Sequence, residues 1–157
     1  MPEGEAIATG CPPIDNLLGD GVERGTVTQV YGPPAAGKTN LALSAAVGVA
    51  AAGGRALYLD TEGLSLERFR QLADGVDADT ETLASRLITS EAYDFDDQET
   101  IVRDATEFAS EVELIVLDSA TGHYRLERTE GDEGETLRRV GRQVRPLLVP
   151  ARRENPP

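Results

Sequence analysis

The feature that most constrains this chain is Y-G-P-P-A-A-G-K-T-N at residues 31–40, which contains G-x-x-x-x-G-K-[ST] intact. Apolar alternation over residues 26–31 predicts a strand running into Gly32, and an Ala-rich helical pattern opens at Lys38. A strand, a glycine-rich turn and a helix in that order make a phosphate loop. Gly32 and Gly37 permit a tight curl and a close approach to an anion. The run Gly32, Pro33, Pro34, Ala35, Ala36, Gly37, Lys38, Thr39, Asn40 is thereby expected to wrap the phosphates of a nucleoside triphosphate, ATP in the first instance, with the positive end of the helix dipole behind them. In that arrangement Lys38 reaches the β- and γ-phosphates and assists catalysis, and the Thr39 hydroxyl ligates Mg²⁺.

At 157 residues the chain has the length of one domain, and no solenoid-like repeat is visible. Its longest apolar stretch, residues 41–52, is interrupted by Ser44 and Gly48 and is too short to span a bilayer, and no basic, apolar leader opens the sequence. The expectation is a cytoplasmic protein with no membrane partner. Cys11 stands alone, so it forms no internal disulfide and reads as a small half-buried residue. Acidic residues outnumber basic ones 28 to 15, a net charge of −13, and Lys38 is the only lysine. The single compact ammonium thus stands where phosphate needs it, a role the planar guanidinium fills less well. Abundant acids, almost no lysine and few aromatics are similar to the protein style of salt-in halophilic archaea, in which surface charge maintains solubility.

Taken in order, residues 1–8 are expected to fray. A turn and a short helix follow at residues 13–18, with Gly19 and Gly21 ending it. The helix after the phosphate loop spans residues 38–52 and stops at Gly53 and Gly54. Residues 55–60 form the next buried strand, and a strand–helix–strand order of this kind gives a parallel sheet. Helical spacing recurs at residues 64–73, followed by a polar loop and helix start at 74–82, a strand at 87–90 and an amphipathic helix within 94–112. Residues 114–118, L-I-V-L-D, are a buried strand ending in Asp118, the Walker B form whose carboxylate helps to hold Mg²⁺. Residues 121–135 read as a polar loop, and residues 136–153 as a helix interrupted by Pro146 and Pro150.

Together, T-G-C-P-P-I-D-N-L-L-G, G-P-P-A-A-G-K-T-N, L-Y-L-D-T-E-G and L-I-V-L-D-S-A-T resemble the RecA-like recombinase family, most closely its archaeal RadA and RadB branch, over residues 9–153. The RadB side matches better, since RadA has a helical DNA-binding domain and a polymerisation motif ahead of the core. The resemblance implies an α/β three-layer P-loop NTPase, a RecA-like ATPase core with a mostly parallel sheet, occupying residues 9–157 and lacking its last core strands. It also implies a further strand lying between the Walker B strand and the phosphate-loop strand. Residues 136–153 do not suit that place, so a gap at the sheet centre and marginal stability are expected.

The resemblance makes Glu62 the glutamate that orients and deprotonates the attacking water. A carboxylate at the end of a strand facing the γ-phosphate suits that work, while Asp60 is read as structural. Tyr124 and Arg125 match the start of a DNA-facing loop, with Arg128 beside it; His123 is the only histidine and reads as a solvated loop residue, not a metal ligand. Two departures stand out: four acids lie between Glu130 and Glu135, where strand-exchange enzymes are basic, and the downstream strand is absent. The implied function is an ATP-binding accessory protein of homologous recombination and DNA repair. It would bind single-stranded or branched DNA weakly, hydrolyse ATP weakly in a DNA-dependent way and modulate a RadA-like recombinase. A non-hydrolysing protein-interaction module and a KaiC-like signalling ATPase are the alternatives.

Overall fold

A computed structural model describes residues 6–122 and, beyond them, Arg138, Gly141, Arg142 and Arg145. In chain order the elements are α1 (Pro12–Leu18), α2 (Lys38–Ala51), β1 (Ala56–Asp60), α3 (Leu66–Asp74), α4 (Thr80–Arg86), β2 (Leu87–Glu91), α5 (Phe95–Phe108) and β3 (Leu114–Asp118). The three strands form one parallel sheet in the order β2-β1-β3.

Alternation along β1 divides the core. Ala56 and Tyr58 face Leu43, Ala46, Val47 and Ala50 of α2, together with Phe69 and Ala73 of α3 and Leu83 of α4. Leu57 and Leu59 face the opposite way, onto Val102 and Ala105 of α5 and onto Val112. All five β1 residues are buried, as a parallel strand covered on both faces requires. Helices on both sides of the sheet give the three-layer α/β architecture expected from the sequence.

Local signals fix the helix ends. Ser65 accepts the N–H of Arg68 at 3.2 Å, Asp79 that of Thr82 at 3.1 Å, and Asp94 that of Asp97 at 2.8 Å. Each satisfies one orphan donor of a first turn. The helix α2 differs: its N-cap is Gly37, with no side-chain cap and no acid in the first turn. Small residues cover most of its circumference, and Leu43, Ala45, Ala46, Val47, Val49 and Ala50 are all buried, which seats it deep under the sheet.

The entry segment is tied to α2. Thr9, only 2% exposed, donates both its backbone N–H (2.8 Å) and its hydroxyl (2.7 Å) to Asp15 Oδ1. Gly10 has φ +80°, and a Cβ there would lie 2.3 Å from Ser44 Oγ of α2. Close packing thus explains the T-G pair of the entry motif. Ile7, within the stretch expected to fray, is 7% exposed and exchanges two backbone hydrogen bonds with Val22.

One expected strand is not present. Residues 26–31 adopt no regular structure and join no sheet, and Val27, Val30 and Tyr31 are 44%, 52% and 88% exposed. Among the described residues β3 pairs only with β1, and no strand offers residues 26–31 a ladder. Apolar alternation alone cannot make a strand without a partner. The helix α4 begins inside the segment read as loop and helix start. The loop at 121–135 beyond Gly122, and the helix at 136–153 apart from the four residues named above, lie outside the described residues.

Candidate nucleotide site

In-register pairing of Asp60 with Asp118 sets the carboxyl ends of β1 and β3 side by side, where open α/β sheets collect their ligands. The Asp60 carboxylate is 3% exposed and accepts the backbone N–H groups of Glu62 and Gly63 on Oδ1, both at 3.0 Å, and that of Leu64 on Oδ2. It therefore folds the turn after β1 and presents Glu62 to solvent, the structural part assigned to it from the sequence.

Glu62 Oε1 accepts the Ser119 hydroxyl at 3.0 Å. Ser119 is itself held by Thr61: its N–H donates to Thr61 Oγ1 at 2.8 Å, and the Thr61 hydroxyl donates back to the Ser119 carbonyl at 3.0 Å. The peptide bond between Asp118 and Ser119 is cis. Asp118 is 9% exposed, and its Oδ2 accepts the hydroxyl of fully buried Tyr58 at 2.7 Å. Burial first, then the hydrogen bond and charge of Asp118 and the charges of Asp60 and Glu62, push the Tyr58 phenol far above its ordinary range. Tyr58 is therefore a neutral donor at any physiological pH. A hollow of about 260 Å³ lined by Asp60, Thr61, Glu62, Gly63, Glu91, Ala92 and Tyr93 opens beside the Glu62 carboxylate, room for several waters at about 30 Å³ each.

The phosphate loop leads into α2 at Gly37. Gly37 (φ +97°) and Ala35 (φ +60°) carry its left-handed turns, whereas Gly32 is not in that region. The curl expected at Gly32 is thus made two residues before Gly37, by an alanine. The Lys38 ammonium donates to the carbonyls of Gly32 (2.8 Å) and Pro33 (2.7 Å). Thr39 is half-buried, and the Asn40 side chain accepts from the Arg68 guanidinium of α3. Among the described residues, no hydrogen bond joins this loop to Asp118 or Glu62.

No group of three or more His, Cys, Asp or Glu side chains fit to hold a metal occurs among the described residues. The donor set, one carboxylate oxygen of Asp118 beyond the Tyr58 hydrogen bond and the Thr39 hydroxyl, suits an ion that keeps water and arrives on phosphates, the habit of Mg²⁺. His123, Tyr124, Arg125 and Arg128 lie outside the described residues. Sequence reasoning missed Tyr58, Thr61 and Ser119. The signal was available in part: aligning the two strands on their terminal acids places L-Y-L-D beside I-V-L-D.

A phosphate loop opening a buried helix, beside parallel strands tipped with Asp60 and Asp118, defines a P-loop NTPase core of the RecA-like class. The Rad51 family model matches residues 5–149. DNA repair and recombination protein RadB of Halobacterium salinarum is 55% identical over 150 residues, covering 95% of this chain and 64% of that relative. RadB of Methanoculleus marisnigri is 43% identical over 158 residues, 98% of this chain and 68% of the relative. RadB of Thermococcus kodakarensis is 37% identical over 153 residues, 96% and 67%. The chain belongs to the Rad51 family, in its archaeal RadB group. It spans 64% of the length of the Halobacterium relative.

Proposed function

We propose that this chain is an ATP-binding accessory protein of homologous recombination and DNA repair. In this reading it binds Mg-ATP through Gly32 to Asn40, hydrolyses it weakly when DNA is present, and modulates a RadA-like recombinase. The observation that carries the reading is the uncapped first turn of α2 behind the phosphate loop, on a sheet whose carboxyl ends gather Glu62 and Asp118. N–H groups left without a side-chain acceptor favour an anion, and the helix dipole adds to that preference. Lys38 neutralises phosphate charge, Thr39 and Asp118 hold Mg²⁺ with its water shell, and Glu62 serves as general base. DNA contacts fall to Arg125 and Arg128. The names of the relatives support the repair and recombination setting. The acidic composition supports a salt-in halophilic source, and a cytoplasmic location is part of the same reading; no helix among the described residues is long and apolar enough to cross a membrane.

ATP turnover with and without single-stranded DNA is the test. DNA-stimulated turnover that disappears in Glu62→Gln supports the reading, and tight ATP binding with no turnover under any condition rejects its enzymatic part. The exposed segment 26–31 favours a second reading, a non-hydrolysing module in which ATP fixes a surface for a protein partner. That second reading predicts binding without turnover.

A further inference from the structure

An exposed glutamate with three rotatable side-chain bonds spends little time in any one orientation unless something holds it. A general base must lie within about 2.6–3.2 Å of the proton it removes. Glu62 is exposed, yet its Oε1 is engaged by the Ser119 hydroxyl at 3.0 Å, leaving Oε2 to take a proton. Ser119 cannot drift, because Thr61 grips its N–H and its carbonyl at 2.8 and 3.0 Å. Gly122 closes the group from the far side. A Cβ at that position would lie 3.1 Å from Thr61 Oγ1, 3.2 Å from Ser119 Oγ and 3.4 Å from Glu62 Oε1. Three polar atoms from two strand ends thus converge on the one residue that has no side chain.

We infer that Ser119 is a positioning residue for Glu62, and that Gly122 is small so that the Ser119–Glu62 pair keeps its geometry. The inference rests on the reading of Glu62 as general base. Ser119 touches neither nucleotide nor attacking water in this scheme and acts only through the carboxylate. A hydrogen bond of ordinary net strength biases the orientation of Glu62 by about 3- to 10-fold.

The test is single-turnover ATP hydrolysis and ATP affinity for the full chain, Ser119→Ala, Ser119→Thr, Gly122→Ala, Glu62→Gln, and Ser119→Ala and Gly122→Ala each combined with Glu62→Gln. Ser119→Ala is expected to slow turnover by about 3- to 10-fold with ATP affinity unchanged, and Ser119→Thr, which keeps the hydroxyl, to restore most of it. Gly122→Ala is expected to slow turnover likewise. In the Glu62→Gln background neither change should have any further effect, since residues acting as one unit are not additive. Wild-type turnover in Ser119→Ala and Gly122→Ala, with Glu62→Gln impaired, overturns this inference and leaves the base assignment standing. Equal losses in both backgrounds also overturn it, because Ser119 then acts elsewhere. Unimpaired Glu62→Gln, or a wild-type chain without turnover, overturns the base assignment and the inference with it.

Discussion

The hydroxyl of Tyr58 donates to Asp118 Oδ2 at 2.7 Å from a fully buried position, so one oxygen of the acid at the end of β3 is committed to the neighbouring strand. In the proposed reading, Oδ1 is the oxygen that faces the water shell of Mg²⁺. Tyr58→Phe keeps the ring and removes the donor. It should destabilise the fold by about 1–3 kcal/mol, the cost of an unsatisfied buried acceptor. It should also raise the Mg²⁺ concentration needed for half-maximal ATP binding by several-fold, while metal-free nucleotide affinity stays the same. Mg²⁺ titrations of nucleotide binding check this, and an unchanged midpoint would show that Tyr58 serves stability alone.

The isolation of residues 26–31 predicts a gradient of hydrogen exchange. The central strand β1 is paired on both sides and should exchange slowest, β3 faster because its described partner is on one side only, and residues 26–31 near the rate of an unstructured peptide. Slow exchange across residues 26–31 would mean that the segment is paired or covered after all.

Two groups set opposite pH limits. The Thr9 hydroxyl, then the backbone N–H groups of Thr9 and Gly10, hold the Asp15 carboxyl below its ordinary 3.8. A depressed folded-state value means that the stabilisation is complete above the unfolded value and is lost as pH falls below about 4. The difference in melting temperature between the wild-type chain and Asp15→Asn should be flat above about pH 5 and shrink below it. Tyr58 is shifted upward, chiefly by burial, so its contribution is complete below about pH 10 and declines above that. In Tyr58→Phe the alkaline limb should flatten. An unchanged limb would assign the alkaline loss to other groups.

With a net charge of −13, self-repulsion opposes folding at low ionic strength. Two ion pairs among the described residues, Arg24 with Glu113 at 3.1 Å and Arg55 with Glu111 at 3.7 Å, are partly exposed and offset little of it. At 1 M salt the screening length is about 3 Å, so melting temperature should climb steadily from 0.1 to 2 M KCl. A melting temperature indifferent to salt would contradict the halophilic reading.

Much of this fold is legible because the signals are local. Four apolar residues before an acid gave β3 its bounds, and Lys38 after a Gly-rich loop fixed the start of α2. Only the start of α4 is legible, since seven residues with one buried position, Leu83, are too few to show a period. The strand at 26–31 was misread because alternation records what a segment would do beside a partner, and its partner is set by sheet order. The roles of Tyr58 and Ser119 are not legible for the same reason. Their hydrogen bonds to Asp118 and Glu62 span separations of 60 and 57 residues and exist only because Asp60 pairs with Asp118.

The central claim is that Gly32 to Asn40 binds the phosphates of ATP through Lys38, the only ammonium on a side chain of the protein. Titration of a fluorescent ATP analogue with Mg²⁺ in molar KCl, for the wild-type chain and for Lys38→Ala, tests it most directly. Saturable binding by the wild-type chain and none by the variant is the expected result; equal affinity of the two would overturn the phosphate-loop assignment.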